Sequence, residues 1–238
     1  MSIIPIELIE LFGTGPWFPC RPAVWPPVWP RKLTAMKVTV AELGPAEFRS
    51  AIDGFVAVYA AAMKPPERML AGRDIIMERH AANPGFRGLA ALVDQNALAG
   101  FTYGFHGAPG QWWHDVVAGA LALGPRDGRA YLDDSFEVAE LHVVPAYQGM
   151  GIGRELLMRL TANRQERTAV LSTMDAESPA RRLYRTAGFI DLLTGFRFSG
   201  GEPPYAVMGA RLPLWSPPRD PGDDAPDQPW PRSPRPSS

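Results

Sequence analysis

The sequence predicts an α/β fold, with a mixed central sheet flanked by helices. Three observations carry that reading. Short apolar runs alternate with polar residues at strand spacing, and longer runs between them repeat at helical spacing. Pro, Gly and Ser fall where those runs begin and end. The resulting order is β-α-α-β-β-β-α-β-α-β-β, in which helices return the chain over a sheet.

The elements follow in sequence. Val38 and Val40 alternate with polar neighbours and predict a first strand. After Pro45, residues Phe48, Ile52, Phe55, Val56, Tyr59 and Met63 predict a helix, and a second is expected over about 67–82, beyond Pro65-Pro66. "FRGLAALVD" and "ALAGFTYGFH" flank Gln95-Asn96 and read as a hairpin. The irregular stretch 107–135 is expected to hold one short helix near 111–123. "FEVAELHVV" (136–144) predicts a strand and 151–165 a helix, with Ile152, Leu156, Leu157 and Leu160 on one side. "TAVLST" (168–173) is a further strand. Ser178-Pro179 opens a helix as N-cap and first helical residue, and Gly188 closes it. Two last strands, about 189–198 and 205–212, are joined by "GGEPP".

Composition excludes several functions. The 238 residues carry 24 Lys+Arg and 25 Asp+Glu, a net charge of −1, with no concentrated basic face for nucleic acid. The single cysteine, Cys20, excludes an intramolecular disulfide and a Cys-rich metal site. His80, His106, His114 and His142 show no paired ligand spacing, so no metal is expected. No apolar run approaches the roughly 18 residues of a membrane span. The N-terminus lacks a basic leader region, so a cytoplasmic protein with no membrane partner is expected. Residues 13–30 are dense in Pro and Trp, and 216–238 in Pro, Asp and Ser. Pro at that density blocks helix and strand alike. The expected division is an N-terminal extension (1–36), one domain (37–215) and a disordered tail (216–238). "MKVTVAEL" opens like a first strand, so Met36 is a candidate natural start.

"HVVPAYQGMGIGRELL" (142–157) holds Gly149, Gly151 and Gly153 between a strand and a helix. Glycines bring backbone N–H groups close to a ligand, and a helix N-terminus adds its positive dipole end. Arg154, in the first turn, adds a charge. A phosphate or pyrophosphate is the expected ligand. A P-loop is excluded by the missing Lys, and a dinucleotide fingerprint by Arg154 standing at its last glycine. What fits is Gln-x-x-Gly-x-Gly, met by Gln148, Gly151 and Gly153.

On these residues the sequence resembles the GNAT family, the GCN5-related N-acetyltransferases. "LHVVPAYQGMGIGRELL" is similar to that family's coenzyme-A loop. "ESPARRLYRTAGF" (177–189) is similar to its downstream helix, through Leu183, Tyr184, Gly188 and Phe189. The close match covers about 138–189; residues 37–137 and 190–214 agree only in element order. The resemblance implies a mostly antiparallel sheet splayed at its fourth strand, with acetyl-CoA as donor and a primary amine, small-molecule or protein, as acceptor. It implies that Gly149, Met150, Gly151, Ile152, Gly153 and Arg154 hold the pyrophosphate, that Leu141, His142, Val143 and Val144 pair with the pantetheine arm, and that the Val143 N–H faces the thioester oxygen. Tyr184 stands where the family has its general acid. Either Glu140 or Glu137 is the expected base, with a slight preference for Glu140, and His142 is a further option. Side chains alternate along a strand, so the two carboxylates are expected on opposite faces unless a bulge intervenes.

Two departures stand out. Glu177 occupies a place where an Asn often contacts the CoA arm. Ser172 stands where members acetylating protein N-termini carry a Glu. "QWWHDV" (111–116) has no motif; its paired Trp read first as packing, then as an acceptor-side lid or a dimer contact. Dimers are common in the family, and no feature here requires one. The alternative to an enzyme is an acyl-CoA-sensing module with partner-binding tails.

Overall fold

The computed structural model describes residues 36–94, 97–123, 126–198 and 203–214. The proposed tails, the residues Gln95-Asn96 and most of the "GGEPP" link lie outside the described residues.

Strand β1 (Val38–Leu43) leads into helices α1 (Pro45–Ser50) and α2 (Ile52–Met63). One continuous apolar stripe spans both helices, which is why periodicity alone merges them into one. The chain breaks at Ala51, whose N–H bonds back to Phe48. α2 stops where Lys64 turns left-handed (φ 47°) ahead of two prolines. The helix expected over 67–82 resolves into a 3₁₀ turn, Glu67–Met69, and α3 (Arg73–His80). Gly72, at φ 75°, separates them. Strands β2 (Arg87–Val93) and β3 (Ala97–Gly107) form the expected hairpin. The region 107–135 holds α4 (Trp112–Leu121) and a single turn, α5 (Arg126–Arg129). Then come β4 (Ser135–Val143), α6 (Ile152–Thr161), β5 (Thr168–Met174), α7 (Pro179–Thr186), β6 (Ile190–Phe196) and β7 (Tyr205–Arg211). α6 ends four residues before the expected 165, because Ala162 is extended and Asn163 left-handed at φ 58°. The Ser178 side chain accepts from the Arg181 N–H at the start of α7, as the sequence predicts.

The strands form one sheet in the order β1-β2-β3-β4-β5-β7-β6. Every pairing is antiparallel except β4 with β5. That parallel pairing lasts for three residue pairs, ending at Glu137↔Val170. Beyond Glu137 the two strands part, so the sheet is splayed at its fourth strand.

Side chains sort to two faces. On one, α6 and α7 bury Ile152, Leu156, Leu157, Leu160 and Tyr184 against Leu141, Val143 and Leu171. Each such buried apolar side chain contributes about 1.5–3 kcal/mol. On the other face, α1–α3 cover Phe101, Tyr103 and Phe105, and α4 covers Val170, Tyr205 and Val207. The two helical coverings of this second face meet above β4.

β4 carries a bulge there. Glu140 pairs with Tyr103 but Val138 with Gly104, so Ala139 is one extra residue. Directly paired residues share a face. Glu137 opposite Phe105, Glu140 opposite Tyr103 and His142 opposite Phe101 therefore all lie on the second face. The bulge overrides the alternation that would otherwise part the two carboxylates.

Candidate active site

The glycine loop runs from the end of β4 through a 3₁₀ turn (Pro145–Tyr147) into α6. Gly149 and Gly151 sit at φ 80° and 79°. A Cβ at either would meet nothing within 4 Å, so conformation rather than space requires glycine. Gly151→Ala is therefore expected to cost about 1–2 kcal/mol of folding stability. Gly119, equally uncrowded but inside α4, should gain about 1 kcal/mol on the same change. Urea unfolding of the two variants checks the opposite signs. Ile152, Gly153 and Arg154 form the first turn of α6, where backbone N–H groups have no intrahelical acceptor. Met150 is exposed at the tip of the loop and Arg154 is half-exposed.

The strand edge beside the loop is open. Val144 donates its N–H to Ala99 on β3. Because successive residues point their backbone groups alternately to either side, those of Val143 and Leu141 face the space that β5 leaves. Gln148 folds back and donates its side-chain amide to the Val143 carbonyl at 2.9 Å. That contact fixes the strand edge to the glycine loop.

Tyr184 comes to this region from α7. Its ring lies edge-on to Phe189, centroids 5.7 Å apart. Its hydroxyl is fully buried and has no hydrogen-bond partner among the described residues. Burial, and then the charge of Glu140, hold the phenol above its ordinary range, so it stays protonated. An orphaned buried hydroxyl is unfavourable unless something meets it.

Glu140 is held on both oxygens. Arg73 Nη1, from α3, donates to Oε1 at 2.8 Å, and His142 Nε2 is hydrogen-bonded to Oε2. All three side chains are at most 1% exposed. Arg73 Nη2 also donates to the Tyr59 hydroxyl at 2.8 Å, and its guanidinium lies 4.2 Å from the centre of that ring. Burial outweighs the adjacent carboxylate and pulls His142 below its ordinary pKa, so it is neutral. A neutral imidazole facing a carboxylate carries its proton on Nε2, which leaves Nδ1 as a bare acceptor.

Glu137 points elsewhere. It lies 3% exposed on the wall of a cavity of about 410 Å³ between α3, α4 and the sheet. Phe105, Trp112, Trp113 and His80 are also on its walls. Trp113 donates its indole N–H to Ser172 at 3.1 Å, and Trp112 packs on Phe198, 5.6 Å between ring centres. The paired tryptophans are thus core and cavity wall together. His80 meets the Tyr103 hydroxyl at 3.1 Å. Burial, with the charges of Arg73 and Arg79, pulls it down to about 3.

His80 and His142 bind protons more weakly in the folded chain than in the unfolded one. The stability their neutral burial confers is whole above about pH 6.5 and is lost as pH falls toward the depressed values. Denaturant midpoints should therefore drop between pH 6.5 and 4. His80→Gln should flatten that slope by up to about 1.4 kcal/mol per pH unit; an unchanged slope would exclude His80 as a source.

The structure gathers Leu141, His142, Val143, Gln148 and the glycine loop at one strand edge. Glu137 and Glu140 share a sheet face but not a cavity. Glu177 stands apart, exposed and bonded to Arg185 at 2.6 Å. Sequence reasoning missed Arg73, Tyr59 and Tyr103: nothing in "AGRDIIMERH" marks its first Arg as buried. Among the described residues no helix is long and apolar enough to cross a membrane.

A model described as an acetyltransferase (GNAT) domain matches residues 109–191. A GCN5-like protein acetyltransferase of Mycobacterium tuberculosis is 34% identical over 206 residues, spanning 75% of this chain and 100% of that protein. Among solved structures, a GNAT-family protein from Desulfovibrio desulfuricans aligns with a TM-score of 0.53 at 15% identity, covering 74% of this chain and 99% of that one. The ribosomal-protein-S18-alanine N-acetyltransferase of Escherichia coli aligns at 0.51 and 14% identity, over 76% and 97%. These two share the fold.

Proposed function

The chain belongs to the GNAT family and is an acyltransferase, and on that premise we propose that it moves an acetyl group from acetyl-CoA to a primary amine by direct attack. The observation that carries the reading is the buried hydroxyl of Tyr184, which has no hydrogen-bond partner among the described residues and belongs to the same apolar cluster as Leu141 and Val143 of β4. An acyl-CoA fits what is present: a run of helix-terminal amides, an unfilled strand edge and an orphaned donor.

Acetyl-CoA supplies an activated thioester. The amides of Gly149, Met150, Gly151, Ile152, Gly153 and Arg154, with the Arg154 charge, hold the pyrophosphate. The outward backbone groups of Leu141 and Val143 pair with the pantetheine arm, as a ligand strand adds to a sheet edge. The Val143 N–H faces the carbonyl oxygen where charge develops. Gln148 keeps that peptide in place. His142 sits between these two residues and contributes through the backbone geometry of the edge. Glu177, tied to Arg185, is the weakest member of the proposed set. As the amine nitrogen bonds to the carbonyl carbon and the C–S bond breaks, Tyr184 gives its proton to the departing sulfur. Glu137, on the cavity wall, takes the amine proton. Both oxygens of Glu140 are engaged, which suits it to holding β4 and His142 in place better than to accepting a proton.

Calorimetry should show acetyl-CoA binding in the micromolar range. Thiol release over an amine panel should then show turnover. Absence of acetyl-CoA binding would sink the reading. Binding without acetylation of any amine would leave a sensing module instead.

A further inference from the structure

α7 carries Tyr184 and has little apolar surface with which to place it. Of its eight residues only Ala180, Arg181 and Tyr184 are buried. A helix of about two turns is marginal by itself, so its position comes from what it is tied to. Arg181 supplies the ties. It lies three residues before Tyr184, on the same side of the helix, and is 4% exposed. Its Nη1 donates to Asp175, directly after β5, and its Nη2 donates to Asp191 of β6 at 2.9 Å. One guanidinium thus joins the end of the strand before the helix to the strand after it. Both carboxylates are anchored further. Asp175 accepts the Gly195 N–H of β6 at 2.6 Å, and Asp191 accepts Arg185 Nη2 at 3.2 Å. The bond to Asp191 also spans the turn through Gly188 and Phe189, and Phe189 is the ring that packs on Tyr184.

Stability alone explains this arginine poorly. Its Nε is buried with no hydrogen-bond partner among the described residues. A buried guanidinium must be desolvated, and apolar side chains of similar volume often hold a fold as well or better. What the planar fork adds is direction. Two carboxylates at fixed points set the rotation of the helix as well as its distance from the sheet. We infer that Arg181 is a positioning residue, which fixes the rotation of α7 and so aims the Tyr184 hydroxyl at the sulfur that leaves. The inference rests on the proposed acid role of Tyr184. Arg181 itself meets neither cofactor nor acceptor and acts through that hydroxyl.

A double-mutant cycle on the full chain tests it. kcat is measured by thiol release at saturating acetyl-CoA, with the amine of the panel that is used best. Calorimetry reads acetyl-CoA affinity and urea unfolding reads the fold. Arg181→Met keeps an unbranched stem and removes the fork. It should lower kcat by about tenfold or more while acetyl-CoA affinity stays within about twofold. In the Tyr184→Phe background the same change should cost less than about twofold, since no donor remains to be misplaced. Arg181→Lys, able to reach one carboxylate, should restore part of the rate. Asp191→Asn removes one arm of the clamp at a part-exposed site, and should lower kcat by about threefold, again only while Tyr184 is present. It decides the matter by the same comparison if Arg181→Met does not fold. A similar loss with and without Tyr184, or no loss with it, would overturn the positioning role and leave the acid role standing. A Tyr184→Phe variant with unchanged turnover, or a chain that acetylates no amine, tells against the acid role and removes the positioning role with it.

Discussion

Tyr184→Phe should lower turnover by about a hundredfold or more while leaving CoA affinity within about twofold. The substitution removes one oxygen and keeps the ring packed against Phe189. Because that oxygen has no hydrogen-bond partner among the described residues, the variant should fold as well as the parent, or better by about 1 kcal/mol. The two assays thus move apart, whereas a purely structural tyrosine would lose activity and stability together. The raised pKa adds a second signature. An ordinary phenol ionises near pH 10, but Tyr184 remains a donor there, so no alkaline loss of rate should trace to it. Unchanged turnover in the variant would remove Tyr184 as the acid.

Arg73→Met should cost about 3–5 kcal/mol of folding stability. It strips the buried Glu140 of its guanidinium and leaves a carboxylate with only a neutral imidazole beside it. Against a typical total of about 5–15 kcal/mol, that loss is severe. The double variant Arg73→Met/Glu140→Leu removes both charges and should recover most of it, since a buried ion pair is weak support compared with apolar packing. Urea unfolding of the two variants decides the matter. A single variant losing less than about 1 kcal/mol would mean that the pair is solvated in solution.

The parts of the site written in local sequence were legible. The Gln148–Gly153 loop needs φ > 0 at fixed positions and a helix directly after, and both leave a residue signature. The Ser178-Pro179 cap and Gly188 do so for α7. Less legible was whatever depends on distant partners. Arg73 meets Glu140 across 67 residues of chain, and Trp113 meets Ser172 across 59. Neither pairing has a local pattern. Element ends went astray where a stripe ran through a break, as at Ala51, or where one glycine cut a helix, as at Gly72. Whether the two carboxylates share a face turned on Ala139, a small apolar residue whose bulge depends on its pairing with β3 and not on its own identity.

That extra residue has a further consequence. β4 reads as two strands in different phase, joined end to end. The first presents Glu137 to the cavity between α3 and α4; the second presents Glu140 and His142 on the same face, beside the open strand edge. A regular strand would tie these assignments together, because any shift of register would exchange both at once. With the phase change between them, the first half can vary its side chains without disturbing which way the second half looks. On the proposed function, acceptor and donor would thus both be served from nine consecutive residues, with no loop between them and no additional element in the sheet.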